Sequence, residues 1–306
     1  MGLTYTTQSE IDRTKWDECI IKANNSLIYC QSFYLNNCTD KQWDAIILND
    51  YEAVMPVTYR KKYGIKYLYQ PAFLAQAGIF CEYDLSATMV SDFIKIAVSR
   101  FKLIEINLNY KNTRAAINGA NFCLRNNFVL DLKESYETIA SGYKSNFRKN
   151  LKEAKKHDLS FHAGNNFSET IDLFRRLYSK KMTSVTDKDY EHLKQNCKQL
   201  FERNDLVVRE VKVGNIIYAA VILLRDKNRL YNIASCITPA GRKNSANYFL
   251  YDKIIEEFSA SHLKLDLEGS DIKGIADFYK SMNPVNEPYY SLRVNNLPAL
   301  IKFFKK

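Results

Sequence analysis

The chain has 306 residues, enough for two domains or one large one. Its 46% hydrophobic and 25% charged residues exclude a disordered or low-complexity protein, and its longest apolar run, 216–224, is far too short to span a bilayer. A net charge of +10 favours acidic partners such as nucleic acid, anionic lipid surfaces or phosphorylated co-substrates. Seven cysteines without a Cys-x-x-Cys pair suit reduced thiols better than a disulfide framework. The opening MGLTYTTQSEIDRTKW lacks the apolar core of a signal peptide, so a cytoplasmic protein without integral membrane association is expected.

Taken in chain order, residues 11–25 carry a helical pattern, and 43–48 and 53–59 flank Asn49-Asp50 as a hairpin. Met89, Val90, Phe93, Ile94, Ala97, Val98 and Phe101 recur at helical spacing, after which 103–109 alternates as a strand. A connection at 134–143 leads to a strongly basic helix, 144–157, and to helices at 168–182 and 187–204. Residues 206–213 and 216–224 flank Gly214-Asn215, a second hairpin turn. A strand at 231–238 runs into the basic loop Gly241-Arg242-Lys243-Asn244-Ser245. Ala246, Leu250, Ile254 and Phe258 then mark an amphipathic helix, followed by a strand at 263–268 and a helix at 272–282.

Hairpin, helix and strand thus occur twice. Ile104-Glu105-Ile106-Asn107 parallels Leu265-Asp266-Leu267-Glu268, each with apolar residues on one face and polar residues on the other. The expected architecture is an α/β (α+β) layered fold made by divergent duplication, divided near Lys133 into units 1–133 and 134–306.

Three places can carry chemistry. A helix beginning after the basic loop offers N–H groups and a partial positive charge, with Asn244 or Ser245 as N-cap, Gly241 permitting close backbone approach, and Arg242 and Lys243 adding charge. That suits a pyrophosphate or phosphodiester; the plain alternative is a capped surface helix. Asp266 and Glu268 share a face at the end of a strand, before Gly269 turns the chain, where a buried carboxylate can act as a general base. The alternative is that both stabilise the start of the next helix, with Ser270 or Asp271 as its N-cap. Arg148, Lys149 and Lys152 on the basic helix can track a phosphate backbone or simply form a solvated face over a buried stripe of Phe147, Leu151 and Ala154. His157, His162, His192 and His262 have no ligand-like spacing, so no metal site is expected. Cys236 with His262 is a weak nucleophile pair beside the reading of Cys236 as an inert buried thiol. The absence of a Walker A loop and of Gly-x-Gly-x-x-Gly argues against NTP hydrolysis and nicotinamide chemistry.

Tyr143-Lys144-Ser145-Asn146-Phe147-Arg148-Lys149-Asn150-Leu151, Gly241-Arg242-Lys243 leading into Ala246-Asn247, and Asp266-Leu267-Glu268-Gly269-Ser270 followed by Gly274-Ile275-Ala276-Asp277-Phe278-Tyr279 together resemble the Fem-like branch of the GNAT (N-acyltransferase) superfamily. Tyr289-Tyr290 and Asn296-Leu297-Pro298 resemble the end of such proteins. The resemblance implies two tandem GNAT-like units, each a mixed, mostly antiparallel sheet flanked by helices and splayed near its middle where the donor enters. It implies acyl-coenzyme A (acetyl-coenzyme A) or, in the Fem-like branch, aminoacyl-tRNA as donor. Only one glycine, Gly241, stands in the donor loop, which departs from the superfamily's usual loop.

On this reading the chain is an acyltransferase that moves an acyl group from acyl-coenzyme A to a small-molecule or peptide amine by direct attack. Gly241, Arg242, Lys243, Asn244, Ser245 and Asn247 would hold the donor, and Asp266 or Glu268 would take the amine proton. Backbone groups around Ile233–Cys236 would stabilise the oxyanion. The first half, including Gln70-Pro71 and Gln76-Ala77-Gly78, would shape the acceptor cleft. A Fem-like transfer from aminoacyl-tRNA to a cell-wall precursor, and a non-catalytic scaffold binding an anionic partner through Arg148, Lys149 and Lys152, are the alternatives.

Overall fold

The computed structural model describes residues 2–62, 64–268 and 271–298. They form two units, one taking the chain up to Arg125 and again from Pro288 onward, the other Asn126–Glu287.

In the first unit the strands are β1 (Leu3–Thr6), β2 (Trp43–Leu48), β3 (Ala53–Lys62), β4 (Ile65–Tyr69), β5 (Phe80–Cys81), β6 (Leu103–Asn107) and β7 (Ala120–Arg125), with helices α1 (Arg13–Lys22), α2 (Ser32–Thr39) and α3 (Ala87–Arg100). Local chemistry sets the ends of these elements. Asp12 caps α1 by accepting from the N–H groups of Thr14 and Lys15, and Ser86 caps α3 by accepting from Met89. Asn49, at φ 48°, closes the β2–β3 turn. Phe93 and Ile94 of α3 pack on Val57, Leu68 and Ile104 of the sheet. The helix and hairpin expected here are present, and β1, β4 and α2 add to them.

The second unit contains β8 (Phe128–Asp131), β9 (Ser160–Ala163), β10 (Leu206–Val213), β11 (Ile216–Arg225), β12 (Arg229–Ile237), β13 (Lys264–Asp266) and β14 (Val285–Asn286). Its helices are α4 (Tyr136–Ser141), α5 (Ser145–Ala154), α6 (Phe167–Tyr178), α7 (Asp187–Glu202), α8 (Pro239–Lys243), α9 (Ala246–Phe258) and α10 (Lys273–Lys280). Gly214, at φ +55°, makes the β10–β11 turn. Along β11 the side chains alternate between two cores. Ala219, Val221 and Leu223 face the core that holds Phe147 and Leu151 of α5 and Leu250 and Ile254 of α9, whereas Ala220 joins Cys236 and Leu173 of α6.

A last strand, β15 (Tyr289–Asn295), returns to the first sheet and inserts between β6 and β7. The sheet orders are β1-β2-β3-β4-β6-β15-β7, with β5 on β3, and β9-β10-β11-β12-β13-β8-β14. Strand for strand the orders coincide. Each is antiparallel except at one parallel junction, β4 with β6 and β12 with β13. The chain therefore has two units of like topology, each a mixed, mostly antiparallel sheet flanked by helices, as the resemblance implies.

The units are not contiguous halves divided at residue 133. The strand next to the second parallel junction is β8, which precedes that residue, and the strand next to the first is β15, near the other end of the chain. Each half thus lends a strand to the other's sheet.

Candidate active site

The second unit's parallel junction is short. β12 and β13 pair from Arg229 with Lys264 to Tyr231 with Asp266, where β13 ends while β12 continues to Ile237. Just past that point β12 bulges: Leu223 faces Asn232 and Ile222 faces Ala234, leaving Ile233 as the extra residue. Two parallel strands that pair at one end and part at the other leave unpaired backbone between them, the usual place for a ligand in an α/β sheet.

Asp266 and Glu268 stand at this parting, and Leu263, Leu265 and Leu267 face the core as their spacing requires. The two acids differ in surroundings. Asp266 is 0% exposed and accepts from Arg229 Nη1 at 3.1 Å, while Glu287 lies 2.7 Å from the same guanidinium nitrogen. Burial pushes the Asp266 carboxyl above its ordinary value, against the opposing pull of Arg229. Asp266 Oδ1 also accepts from the Glu268 N–H at 3.3 Å. Glu268 is 8% exposed and sits at φ 45°, a left-handed conformation that costs an L-residue roughly 1 kcal/mol or more. Neither acid caps α10, whose N-cap position is Ile272 and carries no side-chain hydrogen bond. Asp271 instead accepts from the Asn126 N–H at 3.3 Å. Gly269 and Ser270, expected to make the turn and the cap, lie outside the described residues.

A polar group that the sequence reading missed fills the parting. Asn232 is the first β12 residue beyond the last parallel pair. Its Nδ2 donates to the hydroxyls of Tyr251 and Tyr279, each at 2.8 Å, and to the Leu267 carbonyl at 3.3 Å. Tyr279 and Ser235 also hydrogen-bond the Tyr251 hydroxyl. Burial pushes Tyr251 up to about 12 and raises Tyr279 as well, Glu268's charge adding to the latter, so both stay protonated at neutral pH. The signal available in the sequence was one carboxamide in the apolar run Leu230-Tyr231-Asn232-Ile233-Ala234.

The segment after β12 is a short helix, α8, rather than a basic loop. Pro239 opens it, and Thr238 caps it by accepting from the Gly241 N–H at 3.0 Å. Gly241 is needed for packing: a Cβ there would stand 2.1 Å from the Tyr218 carbonyl oxygen, so its close approach is to β11. Asn244 ends α8 and Ser245 takes the N-cap position of α9, but at φ 54° and without a side-chain hydrogen bond. The expected side-chain cap is therefore absent because Ser245 is in a left-handed conformation. As a result the N–H groups of Ala246 and Asn247 meet no acceptor among the described residues. Arg242 and Lys243 are exposed, with no ion-pair partner among the described residues. Two N–H groups without acceptors beside two unpaired cations fit a phosphorylated group.

In α5, Phe147, Leu151 and Ala154 are buried while Arg148, Lys149 and Lys152 are exposed. Phe147 stacks edge-on against Tyr248 in the first turn of α9, ring centroids 5.2 Å apart, and lies 6.2 Å from Phe278 of α10. α5 therefore leans on α9. Cys236 is buried and its thiol is pushed up to about 12, which suits an inert packing residue. His262 bonds the Lys227 carbonyl, at the opposite end of β12. Among the described residues no three His, Cys, Asp or Glu side chains gather as a metal-ligand group, and no helix is long and apolar enough to cross a membrane.

A family model described as an acetyltransferase (GNAT) domain matches residues 141–281. No curated protein matches the sequence. Among solved structures, FemX aligns over 100% of both chains at 10% identity and a TM-score of 0.64. A conserved protein of unknown function from Bacteroides thetaiotaomicron aligns over 96% of this chain and 99% of its own at 10% identity and 0.62. The C-terminal domain (DUF2156) of a protein described as a lysylphosphatidylglycerol synthetase from Agrobacterium fabrum aligns over 97% and 95% at 12% identity and 0.57. At these identities the likeness is one of fold. Residues 141–281 thus match an acetyltransferase (GNAT) domain, and along its whole length the chain shares the fold of FemX.

Proposed function

We propose that the second unit transfers an acyl group from acyl-coenzyme A to an amine. The observation that carries this is the coincidence, at one end of β12, of three features. These are the parted parallel strands with a bulge at Ile233, the acceptor-less N–H groups of Ala246 and Asn247, and the buried carboxylate of Glu268. Ala246 and Asn247 hold donor phosphate through their N–H groups, assisted by Arg242 and Lys243, with Asn244 and Ser245 shaping the turn between α8 and α9. The backbone of the bulged strand lies along the donor's acyl arm. Glu268 takes the proton of the attacking amine, and Tyr251 and Tyr279, held protonated by burial, supply hydroxyl donors nearby. Asp266 is spent on Arg229, so its part is to fix the strand end that carries Glu268.

A second reading keeps the chemistry and changes the donor to aminoacyl-tRNA. It is favoured by the exposed Arg148, Lys149 and Lys152 on the helix that leans on α9, and by the fold shared with FemX.

Calorimetric titration with acetyl-coenzyme A at physiological salt tests the first reading. Saturable binding that Arg242→Ala with Lys243→Ala weakens about tenfold or more supports it; each lost phosphate contact also lowers the salt dependence. No binding of acetyl-coenzyme A, with tRNA binding that steepens at low salt and weakens on replacing Arg148, Lys149 and Lys152, selects the second.

A further inference from the structure

Each sheet has two outer strands, β1 and β7 in the first unit and β9 and β14 in the second. An outer strand presents a line of backbone N–H and C=O groups that can pair with another strand, and proteins shield such lines with short strands, charged side chains or proline. β1 and β9 have four residues each and β14 has two, whereas β7 has six, without proline and with Arg125 as its one charge.

The neighbouring strand fixes which way the backbone of β7 faces. The Tyr290 carbonyl of β15 accepts from the Leu108 N–H at 2.8 Å, on the β6 side. Backbone groups alternate sides along a strand, so those of Ser291 face β7, where Ser291 stands opposite Cys123. Cys123 therefore turns its N–H and C=O inward, as Asn121 and Arg125 do, and Phe122 and Leu124 turn theirs outward. On that outer line the Ala120 N–H is taken by the Ile117 carbonyl at 3.2 Å and the Asn126 N–H by Asp271 at 3.3 Å. Between them the N–H groups of Phe122 and Leu124 meet no acceptor among the described residues. The Phe122 side chain packs half-buried beside Tyr290, ring centroids 6.1 Å apart, while Leu124 on the same face is 56% exposed. The other face carries Cys123, the one exposed cysteine of the seven.

We propose that β7 pairs with β7 of a second copy of this chain, antiparallel about a two-fold axis at Cys123. Centred there, Phe122 of each copy stands against Leu124 of the other, and every open N–H meets an open C=O. Centring on Phe122 or on Leu124 would set one open residue against Ala120 or Asn126, whose N–H groups are already taken. A shift by one residue would set outward groups against inward ones. The same register lays the exposed Leu124 side chain beside Phe122 of the other copy, apolar on apolar. It also sets Cys123 opposite Cys123 as a pair without hydrogen bonds between them, where Cα atoms are about 4.5 Å apart, within the roughly 4.4–6.8 Å that a disulfide accepts. A second copy is the occupant that one stretch of sequence satisfies on both sides of the axis. A pairing this short belongs with transient interfaces, which bury less than about 1,200 Å², so the dimer is reversible. It stands independently of the acyl-transfer reading.

Sedimentation velocity of the full, reduced chain over a wide concentration range should show a monomer–dimer equilibrium that Cys123→Ser leaves intact. Leu124→Pro removes an outward N–H at an outer-strand position that tolerates proline, and should weaken association about tenfold or more. Cross-linking then reads the register. Copper(II) phenanthroline with oxygen takes two electrons and two protons from each pair of thiols. Under it Cys123 should link to Cys123 of the other copy, and Leu124→Pro should slow that step about tenfold or more. Mixed copies that carry Cys123→Ser with either Asn121→Cys or Arg125→Cys should form the mixed disulfide in excess of either like pair. A monomer at every concentration, association that Leu124→Pro leaves unchanged, or like disulfides in excess of the mixed one would each overturn the proposal. If Leu124→Pro does not fold, the concentration series and the mixed disulfide still decide.

Discussion

Arg229 offers the most quantitative test of how the site is held. Its side chain is 4% exposed, Asp266 is 0% exposed and Glu287 is 22% exposed. Arg229→Met removes the cation and leaves a fully enclosed carboxylate, a change that typically costs about 3–5 kcal/mol, a large share of the roughly 5–15 kcal/mol that keeps a domain folded. Asp266→Asn is gentler, because Arg229 keeps Glu287 at 2.7 Å, and a cost of about 1–3 kcal/mol is expected. The pH dependence carries the distinction. Burial already raises the Asp266 carboxyl above 3.8, so its neutral form stabilises the fold fully below that value and the stability is lost as pH rises through the folded value. Without Arg229 the carboxyl rises further, and protonating it costs about 1.4 kcal/mol per pH unit above the unfolded value. The deficit of Arg229→Met should therefore shrink by as much as about 2.7 kcal/mol between about pH 7 and about pH 5, measured by urea unfolding of the variants beside the parent. A deficit no larger than that of Asp266→Asn, or one that does not move with pH, would refute the reasoning.

Other outcomes follow from the same geometry. Glu268→Gln should lower kcat by about 10²–10⁴ while donor affinity holds; turnover within a few-fold of the parent would remove Glu268 from the base role. Gly241→Val places side-chain atoms against the Tyr218 carbonyl and should destabilise by about 1–3 kcal/mol, seen as a lower thermal midpoint, whereas a neutral effect would mean that α8 is not seated on β11. In an alkaline absorbance titration Tyr251 should stay un-ionised past its ordinary 10.0 and titrate near 12. Because that value is raised, the stability it confers is present below 10 and lost as pH climbs through 12, so an early phenolate signal from Tyr251 would mean that the network is open to water.

Much of the pattern was legible because it is local. Gly214-Asn215 and Asn49-Asp50 announce hairpins through turn chemistry, and the repeats at 89–101 and 246–258 announce helices through spacing. The pairing of Ile104-Glu105-Ile106-Asn107 with Leu265-Asp266-Leu267-Glu268 matched the registers of the two parallel junctions. What stayed hidden depends on distant partners. The places of β8 and β15 are decided by neighbours in the other half of the sequence, and a boundary drawn from a repeated pattern cannot see that. Gly241-Arg242-Lys243-Asn244-Ser245 reads as a basic loop, yet Pro239 just before it opens a helix that runs to Lys243, and Gly241 seats that helix on Tyr218. Asn232 looked like one polar residue in an apolar run; its meaning lies in Tyr251, Tyr279 and Leu267, 19, 47 and 35 residues away.

The lent strands also bear on how the chain reaches this structure. Ser291 of β15 hydrogen-bonds Cys123 of β7 across 168 residues of sequence, and β15 occupies an interior position, with β6 on one side and β7 on the other. During synthesis the first sheet has a gap at that position until residues 289–295 have emerged, by which time the second unit is already available to fold. Pairings of such long range are slow, and they leave strand edges open to other chains in the interval. Nascent chains stalled between residues 125 and 287 should therefore hold the amino-terminal unit in a protease-sensitive form, with protection arriving only once β15 is out of the ribosome.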